Sequence, residues 1–573
     1  MLRTRARTRE RQLNLSAEGS DVFFSPIASL RLSDELNSMA YSLNAELRRG
    51  RFRQPYTTTD DASDAAGRPL LARSADVHNN GGFDRFSLDP AITWTRKGGD
   101  RIGIKGNFQL ARNDSHSDST WRARLGGLPD YPFEETRPSG QRRFGQGKLN
   151  WHHGLEGGAT LDTEAGVSAG RESAGSAGIG GPGRGAITLR RDVLDERHDH
   201  GWTWSGKLNL PLSDAHNIAA GWEANDKRSA VAQDERDALA GQDTLATRDR
   251  YRAGQRDVAV YAQDEWAMSA AWSAYLGLRW QALDVDSDAG GSGGNFVLAR
   301  RFHVASPVLQ LRWKLPGKDQ NQLRLALSRT YKAPDLDRLL PRVTRSINNT
   351  VVDPDRIGNP ALAPELADGL DLAFEHFGKD GLTYSLSPYL RQIDGFIRDD
   401  LQRVDSRWTV LPINSGHARA LGIDADAKAG LGRWFAPLKA FELRANAARN
   451  WSTVSSVPGP DNRLADQVRY SGTLGLDYAP GGPFSAGGSF NLRSGGRLAL
   501  SPTTSSYKTV QRNLDLYGLW RLDKGDSLRV SVSNLLAQPA TASSIYDDGA
   551  GRRESRSVYP FSPIGRLVWE HRY

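Results

Sequence analysis

Residues 202–212 read Trp-Thr-Trp-Ser-Gly-Lys-Leu-Asn-Leu-Pro-Leu. Trp202, Trp204, Leu208, Leu210 and Leu212 share one parity, and Thr203, Ser205, Lys207 and Asn209 share the other. Successive side chains of a strand point to opposite faces, so the segment predicts a strand with one apolar and one polar side. The pattern recurs. Met39, Tyr41, Leu43, Ala45 and Leu47 oppose Ser42, Asn44, Glu46 and Arg48. Phe86, Leu88, Ile92 and Trp94 oppose Ser87, Asp89 and Thr93. Trp272, Leu276, Leu278 and Trp280 oppose Ser273 and Arg279, and Leu309, Leu311 and Trp313 oppose Gln310, Arg312 and Lys314. Leu514, Leu516 and Trp520 oppose Asn513, Asp515 and Arg521.

Connectors alternate in length. Short polar turns fall near Asp34, Gly98, Glu156, Asp214, Ser269, Gly317–Lys318, Lys379–Asp380, Arg433, Gly481 and Lys524. Longer Gly/Ser/Asp/Pro-rich stretches separate them, the clearest being 53–82, 112–140, 174–196, 229–250, 286–299, 333–363 and 537–555. Short turns on one rim and long loops on the other predict an all-β, transmembrane antiparallel barrel of about 22 strands, with periplasmic turns and extracellular loops. Several runs reach the roughly 9–11 residues of a tilted membrane strand. The expected home is the bacterial outer membrane, with lipid against the apolar row.

The end of the chain supports closure. Leu567, Trp569, His571 and Tyr573 alternate with Arg566, Val568, Glu570 and Arg572. An unpaired edge in lipid strands its backbone N–H and C=O groups, so the strand near 12–17 should pair antiparallel with 563–573. Trp94, Trp204, Trp272, Trp280, Trp313, Trp520 and Trp569 should then face outward.

Composition agrees. A chain of 573 residues with no composition shift suits one barrel, which grows by adding strands. Mean hydropathy is −0.56, and no stretch has the roughly 18 apolar residues of a membrane helix. With no cysteine there is no disulfide framework and no thiolate site. The net charge of +8 is spread along the strands rather than gathered in one patch, which argues against nucleic acid as a partner. The one dense run is Arg3, Arg5, Arg7, Arg9 and Arg11.

Five segments resemble the TonB-dependent outer-membrane receptors. Val258 to Trp266 reads Val-Ala-Val-Tyr-Ala-Gln-Asp-Glu-Trp, and with Gly277 and Arg279 it is similar to the family's mid-barrel hairpin, in which Tyr261, Asp264 and Trp266 match. Leu327 to Pro334 resembles the strand that enters a large outer loop. Asn359, Pro360, Leu362, Pro364 and Glu365 resemble the return from that loop. Asn414, Gly416, Gly422 and Asp424 match the next motif, and Asn534 and Leu535 the penultimate strand, before the terminal Tyr573. The resemblance covers 258–573; residues 1–257 fit by strand rhythm alone. It implies an active importer of a scarce nutrient, with a ferric siderophore the commonest ligand, and no enzyme chemistry.

The family's plug domain, its TonB-contacting box and a signal peptide have no counterpart in the rhythm. Residues 1–11 read as the end of a plug or entry segment, and 12–573 as the barrel. TonB would be a partner only where a plug accompanies the barrel. A lumen empty of any separate domain is therefore expected, and with it a large, weakly selective conductance. A passive diffusion channel and a surface adhesin are the alternative functions.

No catalytic constellation emerges, and neither a cofactor nor a metal is implied. Glu196, His198, Asp199 and His200 read as a solvated loop rather than a metal cluster, and His152 and His153 should point to opposite faces. The glycines of 175–185 read as a mobile outer loop. Arg329, Tyr331 and Lys332, at a strand end before the longest loop, are the candidate ligand-binding residues, because Arg and Lys bind anions through charge-assisted hydrogen bonds.

Overall fold

The computed structural model describes residues 9–96, 98–292, 294–317, 320–378, 381–465 and 467–573. Arg3, Arg5 and Arg7 of the basic run, and the expected turn positions Lys318 and Lys379–Asp380, lie outside the described residues.

One continuous antiparallel sheet of 27 strands dominates the chain. Five of these strands lie above the rest, and the other 22 close into a barrel. The seam is the expected one: the first strand, Glu10–Gly19, pairs antiparallel with the last, Ile564–Arg572, with Leu15 opposite Trp569 and Ala17 opposite Leu567. From Gln12 to Gly19 the first strand is thus paired on both edges, which the interior of a bilayer demands. The terminal Tyr573 N–H reaches the Arg11 carbonyl at 2.9 Å.

The strands differ in height. From Pro69–Thr95 to Phe296–Lys314 they run 19 to 27 residues, against 12 for Asn321–Lys332 and 8 for Asp526–Ser533. A membrane strand uses about 9–11 residues, so one side of the barrel continues as a tall wall above it. This corrects the loop reading of 53–82, 112–140, 174–196, 229–250 and 286–299. Those stretches are mostly ladder; the real turns between them are 126–132, 182–188, 240–244 and 291–295. The glycine-rich segment likewise remains strand to Gly181, in Thr160–Gly181. Above the apolar belt both faces of a strand meet polar surroundings, so the ladder continues after the alternation that signals it has ended. The first short turn also sits lower than expected, since the strand Phe23–Leu36 runs past Asp34 to a turn at Asn37, whose φ is 54°.

The five upper strands, Tyr56–Asp64, Gly496–Ala499, Thr504–Lys508, Ala540–Asp547 and Gly551–Tyr559, extend the wall around the rim from the top of Pro69–Thr95. At the other end the wall has a break. Phe296–Lys314 pairs with Asn321–Lys332 only from Val308↔Ser328 downward, so Phe296 to Pro307 pair on one edge alone.

Inside and outside are fixed by the long connection 333–364, which folds inward. It touches Glu134, Asp195, Glu235 and Ser287, so their parities line the interior. Carried through the registers, this places Trp94, Trp204, Trp272, Trp280, Trp313, Trp520 and Trp569 on the outer face. Trp272 and Trp313 stack at 5.2 Å, and Trp204 meets Trp222 edge-on at 5.3 Å.

Candidate functional site

The largest apolar cluster of the molecule lies at the loop end of the interior. Leu339, Leu340 and Leu362 of the inward connection are 0 to 2% exposed and pack on Val231, Tyr251, Leu283 and Val285 of the tall wall. One short helix, Leu336–Leu339, ends on the first of these leucines, and Leu340 follows it. Carbonyls of the connection are taken by the wall: the Ser287 hydroxyl donates to Leu339 O at 3.0 Å, and Gln255 Nε2 donates to Pro334 O at 2.5 Å. Burial pushes the Tyr251 hydroxyl up to about 12, so it stays neutral in this cluster.

Polar pins carry the connection across the mouth. Arg197 meets Asp337 at 2.6 Å, Arg338 meets Asp399 at 2.5 Å, and Arg342 and Arg345 reach Asp195 and Glu235. Asn348 exchanges hydrogen bonds with the Tyr131 backbone, 3.0 Å each way, and donates to Glu134 at 2.5 Å. Burial pushes the Glu134 carboxyl up from its ordinary value. Two strands of the connection join a small separate sheet, Val343–Thr344, Asp355–Ile357, Arg407–Asn414 and Ile397–Val404. Asp355 is desolvated there, yet Arg407 at 2.6 Å and the Ser346 N–H hold it below its ordinary value. No separate domain fills the lumen among the described residues, but this connection folds into its mouth, which bears on the expected large conductance. Leucines at 336, 339, 340 and 362 give it the apolar anchor that drives it inward.

The three predicted ligand residues separate. Arg329 forms a two-point pair with Asp368, Nε–Oδ1 2.7 Å and Nη2–Oδ2 2.8 Å, in an outer-face groove with Leu276, Leu278, Leu309 and Leu327. Tyr331 turns inward, its hydroxyl meeting Gln281 and lying 3.3 Å from Asp257. Alternation would keep Tyr331 on the face of Arg329, but after Ser328 the strand has left its neighbour, which frees the next residues from that rule. Lys332 lies 3.9 Å from Glu365.

The motif residues brace the loops. Asn359 donates to Pro412 O at 2.9 Å, and Asn414 clasps Ala363 through both its N–H and C=O while donating to Gly395 O. Glu365 accepts from the Ile397 N–H at 2.6 Å, and Pro360 and Pro364 flank this stem. Gly416 has φ 65°, and a Cβ on Gly422 would meet the Tyr389 ring at 2.5 Å. Asp424 sits lower on the same strand. Tyr261 lies over Gly221, Arg279 pairs with Glu223 at 2.8 Å, and Gly277 abuts Val308. Asp264 accepts from His216, which stacks on Trp266 at 5.4 Å. Asn534, at φ 55°, donates to Asp515, and the Leu535 N–H to Leu514 O.

One inner-wall group escaped the sequence reading. Arg48 lies opposite Arg85, and Arg85 and Arg142 flank Ala111 on neighbouring strands. Arg48 is held by Glu18 at 2.6 Å and lies over Phe83, and Arg142 lies over Phe144. Arg85 and Arg142 have no acidic partner among the described residues. The signal available was two phenylalanines on otherwise polar rows. His152 and His153 point apart, to Asp162 and Asp100, and no group of three or more His, Asp or Glu is arranged for a metal among the described residues.

The family model described as TonB dependent receptor-like, beta-barrel, matches residues 32–535. The chain belongs to the TonB-dependent receptor β-barrel family. It is a bacterial outer-membrane protein, and the family is one of transporters and receptors rather than enzymes. Among solved structures it is similar to the copper transporter OprC, at 16% identity and TM-score 0.64, covering 99% of this chain and 81% of that one. The unliganded ferric citrate transporter FecA gives 14% identity and TM-score 0.65 over 100% and 80%. A ferric enterobactin receptor mutant from Pseudomonas aeruginosa, in complex with enterobactin, gives 13% and 0.61 over 98% and 81%. At these identities the likeness is one of fold. No curated protein sequence matches the chain.

Proposed function

We propose that this chain forms the barrel of an outer-membrane importer that captures a ferric siderophore at its outer mouth. The observation that carries the reading is the inward connection 333–364, held by an apolar anchor and exchangeable polar pins. Such a loop obstructs a passive pore and suits capture. Ligands named for the similar structures, ferric citrate and enterobactin, are anionic or become so on binding iron, and Arg85 and Arg142 offer unpaired guanidiniums on the inner wall, Arg142 beside the Phe144 ring. Tyr331 and Lys332 border the entry from above, while Arg329 on the outer face drops out of the ligand set. Lipid surrounds the tryptophan-bearing outer wall. Transport past the barrel would be driven by TonB where a plug domain accompanies it, with no chemistry on the ligand.

The test is tryptophan-fluorescence titration of the purified chain with ferric enterobactin and ferric citrate. One ferric complex should bind, and Arg85→Gln with Arg142→Gln should weaken it at least about tenfold, as expected when charge-assisted hydrogen bonds are lost. No binding of any ferric complex, together with a large steady conductance in a planar bilayer, would instead favour the passive channel.

A further inference from the structure

The outer wall carries a groove that import does not use. It spans the seam and the strands beside it, encloses ≈ 1070 Å³, and has an apolar floor that includes Leu15, Leu47, Phe86, Leu110, Leu567 and Trp569. Its upper margin is cationic. Arg49, Arg112 and Arg143 stand on the outward parity at or just above the row Leu47–Phe86–Leu110. Arg49 is matched by Asp84 at 2.6 Å. Arg112 and Arg143 have no acidic partner among the described residues.

The next strand sharpens the point. Arg143 lies directly opposite Arg171, whose nearest carboxylate, Glu196, is 3.7 Å away. Like charges placed opposite each other across two strands repel unless an anion sits between them. His198 lies opposite Arg171 in turn. A ligand that satisfies this margin is anionic, and a ligand that fills this floor is apolar. Guanidinium forks match phosphate oxygens, and basic pockets beside a membrane-embedded wall recognise lipid head groups.

We propose that this groove binds a phosphorylated lipid, its acyl chains along Leu47, Phe86 and Leu110 and its phosphate between Arg112 and Arg143, with Arg171 in reach.

The proposal is tested by native mass spectrometry of the whole chain in neutral detergent, titrated with dioleoylphosphatidic acid. The expected result is a retained lipid whose apparent affinity falls about tenfold or more in Arg112→Gln/Arg143→Gln, as loss of two charge-assisted contacts implies. Arg301→Gln, an outer-wall arginine already paired with Asp284, should bind as the parent does. Heat-dependent gel mobility checks that each variant is folded; if the double variant is not, Arg112→Lys/Arg143→Lys replaces it and should show an intermediate loss. Equal retention by the double variant would overturn the proposal. So would equally tight binding of dioleoylphosphatidylcholine, which would leave only an apolar groove, or saturable binding of inorganic phosphate alone, which would make it a site for soluble anions.

Discussion

Replacing Leu339 and Leu340 together by alanine should release the mouth connection while leaving the barrel closed. Both side chains are buried, at 0% and 2% exposure. Leu→Ala at such sites costs about 2–5 kcal/mol each, so the pair removes about 4–10 kcal/mol from the docked state. What remains are Leu362, the hydrogen bonds of Asn348, and the ion pairs of Arg197, Arg338, Arg342 and Arg345, whose side chains are 26 to 36% exposed. Partly solvated pairs of this kind contribute about 0–1 kcal/mol each and cannot compensate. A shift of about 1.4 kcal/mol is tenfold in population, so the undocked fraction should rise at least about a hundredfold. Trypsin provides the assay, because Arg338, Arg342, Arg345 and Arg356 all lie in the connection. Cleavage of a transiently open segment follows its open population when closing is fast. The double variant should be cut within 338–356 far faster than the parent, with heat-dependent gel mobility unchanged. An unchanged cutting rate would refute the claim that the apolar anchor holds the loop.

Three further outcomes follow from the same geometry. Glu134 has its carboxyl raised by burial in the docked contact, so docking gains stability below the ordinary value of 4.5 and loses it as pH rises through the raised one. Hydrogen exchange over 343–357, corrected for intrinsic rates, should therefore slow on acidification toward that window, and Glu134→Gln should reduce the dependence, leaving the share of Asp353 and Asp195, whose carboxyls burial also raises. Leu276→Arg, between Trp272 and Trp280 on the outer face, should destabilise the folded barrel by about 2–4 kcal/mol in reversible unfolding from lipid vesicles; a change within error would place that face away from the bilayer. Because the chain has no cysteine, Ala17→Cys with Leu567→Cys should oxidise to a single disulfide across the seam, seen as altered mobility of the unfolded chain, and failure to cross-link would contradict the register.

The barrel was legible wherever one face of a strand meets an apolar environment and the other a polar one. Residues 202–212 show it, and so does the closing row Leu567, Trp569, Tyr573. The rule gave out above that belt. Residues 229–235 and 247–250 read as loop because both of their faces carry polar groups, yet Ala232 pairs with Arg250 and Glu235 with Thr247 in an unbroken ladder. Hydrogen bonds between strands leave no trace in a sequence once the side chains stop reporting the two sides. Tyr331 fails for a related reason. Alternation is enforced by neighbours on both edges, and past Ser328 the strand has lost one of them. Asn359 and Asn414 were visible as family marks, but their work, clasping the stems of the mouth loops, needs the partners Pro412 and Ala363 to be seen beside them.

Both arginine groups teach a sharper lesson about register. Arg85 and Arg142 are 57 positions apart, and Arg112 and Arg143 are 31 apart, among dozens of basic residues on similar strands. Nothing in the chain distinguishes these pairs from the rest. Pairing does: Leu110 opposite Arg143 and Ala111 opposite Arg142 put one arginine on each side of a wall one residue thick. A single-residue slip in that ladder would exchange them, sending the outward cation into the lumen and the inward one toward lipid. Leu149 and Trp151, on the same strand and the same outward face as Arg143, forbid the slip, because it would carry those side chains into the polar interior as well. The residues that hold the barrel in the membrane therefore also decide which arginines face a captured ligand and which face the lipid around it.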